Sequence, residues 1–227
     1  MTLTRRIAFS VVCVVGLVCT ATAAELARYR EFELGSSVAA VTAVTHTTDR
    51  DLKTVHSRPA LLQDVLWQPR YTIGAPVADR SSINEIAFNF VDDRLFRMTV
   101  TYDRARTSSL TNADMVSALT DLYGTANTPT AQTRASADAA GGVTVLAEWQ
   151  QADTHVMLRR SAYNESFSMV ITSMPLEAIA RKARTTALAL DAREAPAREA
   201  ALAKKRADDL RQAEEQERTA NKKVFKP

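Results

Sequence analysis

The middle of the chain carries two consecutive stretches in which apolar and polar residues alternate. In residues 86–91 and again in residues 96–102, every second residue is Ile, Phe, Met, Val or Tyr. Asp92-Asp93-Arg94 between them is rich in turn-forming residues. Alternation with period two gives a strand one apolar face. We therefore predict an antiparallel β-hairpin with one face buried and the other largely polar.

Similar patterns place further elements on both sides of this hairpin. Two strands are predicted before it, over residues 52–58 and 61–67, and three after it, over residues 143–149, 155–160 and 167–172. Two helices are predicted, one from residue 38 with Ser36 or Ser37 as its cap, and one over residues 111–123 with Thr111 as its N-cap and Asp114 three places on.

Residues 125–142 contain mostly Thr, Ala, Ser and Gly with little to bury, and we predict a long loop there. The resulting order is α-β-β-β-β-α-β-β-β. Short antiparallel strands with helices on one face indicate the α+β class. We expect helix plus antiparallel β-meander modules packed as one domain over residues 25–175.

The first 24 residues have the order of a secretory signal peptide. Arg5 and Arg6 precede an apolar run over residues 7–18, and small residues fill positions 20–24. Cleavage is expected after Ala23 or Ala24. The Arg5-Arg6 pair leaves the Sec and Tat export routes open. We expect an exported protein of the periplasm or the extracellular space, with no integral membrane segment after cleavage.

Cleavage would change the composition of the chain. Cys13 and Cys19 are the only cysteines, and both would leave with the signal, so the mature protein would have no thiol and no disulfide. The signal also takes two of the 29 basic residues and none of the 26 acidic ones. A nearly neutral mature chain gives no electrostatic reason to expect nucleic acid as a partner.

Residues 176–227 differ from the rest of the chain. They hold 13 basic and 9 acidic residues and lack Gly, Trp and Tyr. We predict an Ala- and charge-rich helical tail, docked near residues 176–190 and interrupted near Pro196, which would either start a second helix or kink a longer one. A sustained leucine heptad is absent, so the pattern does not indicate a strong coiled coil.

The search for catalytic chemistry finds little. His46, His56 and His155 do not stand at metal-ligand spacing, and no nucleophile elbow or phosphate loop occurs. The pair Asp92-Asp93 resembles two catalytic carboxylates, but its place at a hairpin tip favours a turn. We expect no cofactor and no metal, and we favour a protein that is not an enzyme.

Two clusters are candidate binding residues. Arg104 and Arg106 precede a predicted helix and could bind a carboxylate or phosphate. Alternatively, Asp103 could form an ion pair with one of the two arginines and fix the loop. Trp67, Arg70 and Tyr71 lie near a strand end and combine the residue types of binding hot spots, which are also residues that cap a small core.

A helix followed by an antiparallel meander, twice over residues 37–172, resembles the tandem modules of β-lactamase-inhibitor-type exported proteins and of SmpA/OmlA-type outer-membrane assembly lipoproteins. The segment Tyr102-Asp103-Arg104-Ala105-Arg106-Thr107, followed by residues 110–115 and closed by Tyr123-Gly124, is similar to a recurring pattern in uncharacterised exported bacterial proteins. The resemblance implies a fold and an exported location, and it brings no activity with it.

These observations lead to one favoured function and two alternatives. The favoured function is a non-enzymatic binding or interaction module of the cell envelope, with an envelope protein as the expected partner. One alternative is a secreted inhibitor-like protein that acts through a face of its sheet. The other is a hydrolase whose site the sequence does not reveal.

Overall fold

The structure is a computed structural model of the chain, and it describes residues 26–48, 50–69, 82–139, 141–224 and 226. The predicted signal peptide lies outside the described residues, as do Arg70 and Tyr71. The architecture is α+β, as predicted, with a long C-terminal helix.

Nine strands and five helices make up the described part of the chain. The strands are β1 (Arg28–Tyr29), β2 (Phe32–Glu33), β3 (Leu52–His56), β4 (Leu62–Trp67), β5 (Ile83–Val91), β6 (Arg94–Tyr102), β7 (Val143–Gln151), β8 (Thr154–Ser161) and β9 (Phe167–Ser173). The helices are α1 (Val38–Thr45), α2 (Arg104–Thr107), α3 (Asn112–Tyr123), α4 (Ala131–Ala139) and α5 (Met174–Val224).

Seven of the strands form one antiparallel sheet in the order β3-β4-β5-β6-β9-β8-β7. Each half of the chain contributes a meander, β3 to β6 and β7 to β9, and the pairing of β6 with β9 joins the two. Strands β1 and β2 form a separate short hairpin. The two helix-and-meander halves therefore share a single sheet.

The hairpin predicted at residues 86–102 is confirmed as β5 and β6. Val91 pairs with Arg94, and both residues of the loop between them have positive φ, 45° at Asp92 and 62° at Asp93. This is the turn geometry that matches strand twist. The Asp92 carboxylate accepts from the backbone N–H of Leu61 and the Asp93 carboxylate from that of Val38, each at 2.9 Å. Both acids thus fix neighbouring segments.

One face of the sheet, which we call the helical face, carries the main core. It packs against α1, α3 and the β1–β2 hairpin, and its largest fully buried side chains include Phe88, Phe90, Trp149 and Phe167. Helix α3 begins with the predicted cap, because Thr111 and Asp114 form a reciprocal capping box. Burial of the aromatic side chains on the helical face is the main contribution to the stability of the fold.

The opposite face, which we call the open face, is covered at one end by α5. Leu176, Ala180 and Ala183 of α5 pack with Leu62, Val91 and Phe96. Helix α5 leaves β9 and crosses toward β3, where Arg58 forms an ion pair with Glu194. Toward the other end, the open face carries polar side chains from β5, β6, β8 and β9.

The prediction of a loop over residues 125–142 is wrong for its central part. Residues 131–139 form α4, and Asn127 makes an isolated bridge with Glu148 of β7. The Thr130 hydroxyl accepts from the N–H of Thr133 and so caps the helix. The apolar pattern of α4 is weak, so the sequence gives little signal for this helix. Contacts with β7 hold it in place.

The tail helix is not broken near Pro196. Helix α5 runs for 51 residues with Pro196 inside it, which corrects the predicted interruption and corresponds to the alternative of one longer helix. The Arg198 guanidinium spans the proline and donates to the carbonyl and the carboxylate of Asp191, at 3.1 and 3.2 Å. Proline lacks the N–H that would bond to the Ala192 carbonyl, and the Arg198 contact binds the neighbouring carbonyl of Asp191 in the same turn.

Candidate functional site

A pocket of about 480 Å³ opens on the helical face between the β1–β2 hairpin and α3. Its lining residues are Arg28, Tyr29, Arg30, Tyr102, Leu119, Leu122 and Tyr123. Three tyrosines from three separate elements thus share one mainly apolar cavity, which we call the tyrosine pocket. Its volume lies within the range of small-molecule sites, about 300–1,000 Å³.

The three tyrosines are held rigidly by the core. Tyr29, Tyr102 and Tyr123 are all buried, and Tyr123 packs its ring at a tilt to Trp149 with centroids 6.1 Å apart. The Trp149 indole in turn donates to the carbonyl of Gly124 at 2.8 Å. Burial of all three rings restricts them before any ligand arrives, which lowers the entropy cost of binding.

The tyrosine hydroxyls remain protonated at neutral pH. Burial raises the pKa of Tyr29, of Tyr102 and of Tyr123, and the neighbouring Tyr29 adds to the effect on the other two. Each can therefore act as a neutral hydrogen-bond donor. The Tyr123 hydroxyl is buried and has no hydrogen-bond partner among the described residues. Such a group costs about 1–3 kcal/mol while it stays unpaired.

Two arginines lie at the rim of the tyrosine pocket. Arg28 forms an ion pair with Glu33 at 3.1 Å, so its charge is already partnered. The exposed Arg30 lies over the Tyr29 ring, with the guanidinium carbon 5.7 Å from the ring centroid. Arg30 forms no ion pair with any carboxylate of the described residues. A mainly apolar cavity with Arg30 over a tyrosine ring at its rim suits a molecule with an apolar body and an acidic head.

Of the predicted binding residues, Trp67, Arg104 and Arg106 do not line this pocket. The Trp67 ring is edge-on to Phe32 with centroids 5.8 Å apart, which is a packing contact. Arg104 is exposed and Arg106 is half-buried, both in α2, and the Asp103 carboxylate caps that helix by accepting from Ala105 N–H at 2.7 Å. The register places Trp67 and α2 at the same end of the sheet. Arg70 and Tyr71 are outside the described residues.

A second cleft, of about 200 Å³, contains His56 and is the candidate site for the hydrolase alternative. Its lining also includes Ser57, Arg58 and Asp191. The Asp191 carboxylate is ion-paired with Arg198 at 3.2 Å. Within the described ranges no hydrogen bond joins His56 to Ser57 or Asp191, so no nucleophile and base are paired. The polar groups of this cleft instead attach α5 to β3 through Arg58 and Glu194.

The third histidine belongs to a buried polar cluster at the edge of the sheet. Glu148 is 4% exposed and accepts from the Thr130 N–H and the Thr133 hydroxyl, each at 2.8 Å. Its Oε2 also lies 3.0 Å from His155 Nε2. Burial opposes ionisation of Glu148, but these hydrogen bonds outweigh it and hold its pKa below the ordinary value. The cluster holds α4 against β7.

Within the described part of the chain, no three His, Cys, Asp or Glu residues come together in a way that could hold a metal ion. No helix among those residues is both long and apolar enough to cross a bilayer.

Sequence reasoning missed both the tyrosine pocket and the Glu148 cluster. Tyr29, Tyr102 and Tyr123 are far apart in the chain, and each alone has the pattern of a core residue. Glu148 interrupts an otherwise apolar strand. An acidic residue at such a position was the one sequence signal for the cluster, because a buried carboxylate needs partners.

Comparison with models of protein families finds no match, and neither the curated proteins nor the solved structures contain one.

Proposed function

We propose that this protein is an exported, non-enzymatic binding module that holds a small molecule with an apolar body and an acidic head in the tyrosine pocket. The observation that carries the proposal is the convergence of three tyrosines, two leucines and the rim residue Arg30 on one preformed cavity. A pocket of this kind, mainly apolar with a few placed polar groups, is the usual form of a small-molecule site.

The chemistry of the lining supports binding over catalysis. The three hydroxyls are neutral at physiological pH, and burial, which raises each tyrosine pKa, moves them further from ionisation. A general base or nucleophile would need a group that ionises near neutrality. The tyrosines can orient a ligand by donating hydrogen bonds, Leu119 and Leu122 can cover its apolar part, and Arg30 can bind its head group.

The proposed location outside the cytoplasm is supported by the order of charges and apolar residues in the first 24 positions. Leu26, which is 4% exposed, already belongs to the core cluster of the helical face. Cleavage after Ala23 or Ala24 would therefore leave the start of the mature chain within a few residues of the tyrosine pocket. N-terminal sequencing of protein recovered from a periplasmic extract tests this step, and a chain that keeps Met1 contradicts it.

The binding step is tested with 1-anilinonaphthalene-8-sulfonate, an aromatic probe that carries one sulfonate. Leu122 lies at the mouth and is 49% exposed, so Leu122→Glu places a charge there without disturbing the core. Leu188→Glu on α5, at a side chain 58% exposed, is the matched control.

We expect the probe to bind the wild-type protein and the Leu188→Glu variant equally, and to bind Leu122→Glu about tenfold more weakly or worse. Energy transfer from Trp149 should accompany binding, because its indole packs on Tyr123. Equal affinity in all three proteins would overturn the proposal, as would an absence of binding to the wild type.

A further inference from the structure

Two arginines flank the same strand on the open face of the sheet. Arg97 of β6 pairs with Thr172 of β9, and Arg159 of β8 pairs with Ser168 of β9. Thr172 and Ser168 are four positions apart on β9, so their side chains lie on one face of the strand. Arg97 and Arg159 therefore project from the two neighbours of β9 onto the open face.

Hydrogen-bonding capacity remains unused in both guanidinium groups. A terminal nitrogen of Arg97 binds Glu177 of α5 at 2.6 Å, but its Nε is buried and has no partner. The Nε of Arg159 is also buried without a partner. Within the described ranges, no carboxylate forms an ion pair with Arg159. Leaving a buried charged donor unpaired is costly, more so than for a neutral group.

The charges around the two arginines do not balance locally. Burial lowers the pKa of Arg159, and the nearby positive charge of Arg97 lowers it further. An arginine nevertheless stays charged in a protein. Glu177 offsets one of the two charges. Glu148, opposite Met157 on β7, lies on the same face, but its carboxylate is bound by Thr130, Thr133 and His155. Glu85, opposite Thr101 on β5, lies three strands from Arg159, or about 14 Å at the usual strand spacing. One positive charge is therefore left without a close partner.

Neutral donors surround this charge. Thr101, Ser168 and Arg159 lie side by side across β6, β9 and β8. Hydroxyls beside an arginine fork are the usual means by which proteins bind an oxyanion, because guanidinium geometry matches two oxygens of a carboxylate or phosphate. The site is on the opposite side of the sheet from the tyrosine pocket and does not depend on it.

We propose that Arg159 and Arg97, with the hydroxyls of Ser168 and Thr101, form an oxyanion-binding site on the open face, which takes a carboxylate, sulfate or phosphate group. The anion binds the terminal nitrogens of Arg159 beside the two hydroxyls, and Arg97, four residues further along β9, adds positive charge. The group can belong to a free ion or to a larger ligand, since the chemistry that recognises it is the same.

The test follows the Nε–H signals of the arginine side chains by ¹H–¹⁵N NMR of the full chain. Sodium phosphate, sodium sulfate and sodium acetate are titrated separately, with ionic strength held constant by sodium chloride because salt screens surface charge. The Arg159→Gln variant assigns the signal and removes the charge. Arg104→Gln is the matched control, since Arg104 is exposed and belongs to α2.

We expect the signals of Arg159 and Arg97 to shift saturably with at least one anion, and the same anion to raise the thermal midpoint. Arg159→Gln should weaken this binding about tenfold or more, while Arg104→Gln should leave it unchanged. If Arg159→Gln does not fold, Arg159→Lys replaces it in the test. Lysine keeps the positive charge but lacks the planar guanidinium fork, so this variant should also bind the anion more weakly.

The three anions separate the classes of ligand. Saturation with acetate alone identifies a carboxylate site, and saturation with phosphate or sulfate identifies a tetrahedral oxyanion site. Unshifted Arg159 and Arg97 signals with all three anions would overturn the proposal. Wild-type affinity in both Arg159 variants would overturn it equally.

Discussion

Glu148 Oε2 lies 3.0 Å from His155 Nε2, and the same carboxylate binds the first turn of α4. Strand β7 supplies the acid and β8 the histidine, so the contact joins the edge of the sheet to a helix with a weak apolar pattern of its own. The position of α4 depends on this one buried carboxylate.

Replacing the carboxylate should loosen α4. Glu148→Ala leaves the Thr130 N–H, the Thr133 hydroxyl and His155 without their partner, and we expect a loss of about 2–3 kcal/mol in the free energy of unfolding. Urea unfolding followed by far-ultraviolet circular dichroism measures the loss. The exposed Glu215→Ala on α5 is the control and should change stability by less than about 0.5 kcal/mol. A Glu148→Ala protein as stable as its control would show that α4 is held by other contacts.

The same carboxylate should make stability depend on pH. The pKa of Glu148 is below its ordinary value in the folded protein, so its contribution is complete above the unfolded pKa, near ~4.3, and is lost as the pH falls through the folded pKa. The stability gap between the wild type and Glu148→Gln should be smaller below about pH 4 than at about pH 5. Urea midpoints across this range measure the gap. A gap that widens on acidification contradicts the assigned sign.

The unpaired hydroxyl of Tyr123 should be dispensable for folding. Tyr123→Phe removes a buried group that has no partner among the described residues, so we expect stability to stay the same or rise by up to about 1–2 kcal/mol. Thermal unfolding of the ligand-free protein measures this. Tyr102→Phe provides a comparison, because the Tyr102 hydroxyl contacts Met169 Sδ at 3.9 Å and interacts with Tyr29. A clear loss of stability in Tyr123→Phe would mean that its hydroxyl has a partner.

The capping box of α3 supports one wall of the tyrosine pocket. Thr111 accepts from the N–H of Asp114 at 3.2 Å, and Asp114 accepts from the N–H of Thr111 at 2.8 Å. Thr111→Ala should cost about 1 kcal/mol. Chemical denaturation checks the value, with Thr219→Ala in the exposed part of α5 as the control. If both variants lose the same amount, the effect is one of helix propensity and not of capping.

The sequence predicted those elements whose signals are local. The β5–β6 hairpin has regular alternation and an Asp-Asp turn, and the α3 cap has both of its partners within four residues, so each could be found from a short window. Helix α4 could not be predicted in this way, because its anchor is Glu148, which comes after it in the chain and lies on a strand.

The tyrosine pocket could not be predicted for a related reason. Tyr29, Tyr102 and Tyr123 come together only because the β1–β2 hairpin and α3 pack side by side on the helical face. Trp67 and Arg104 stand out more clearly in the sequence, yet Trp67 packs on Phe32 and Arg104 lies in an exposed turn of helix. Residue type alone does not distinguish a binding residue from a packing one.

The central claim is that the tyrosine pocket holds a small molecule with an apolar body and an acidic head. Methyl NMR of leucine-labelled protein during titration with 1-anilinonaphthalene-8-sulfonate tests it most directly. Leu119 and Leu122 line the pocket, whereas Leu176 is buried on the opposite side of the sheet. The account predicts saturable shifts of the Leu119 and Leu122 methyl signals with the Leu176 signals unmoved. Shifts centred on Leu176, or an absence of shifts at Leu119 and Leu122, would contradict it.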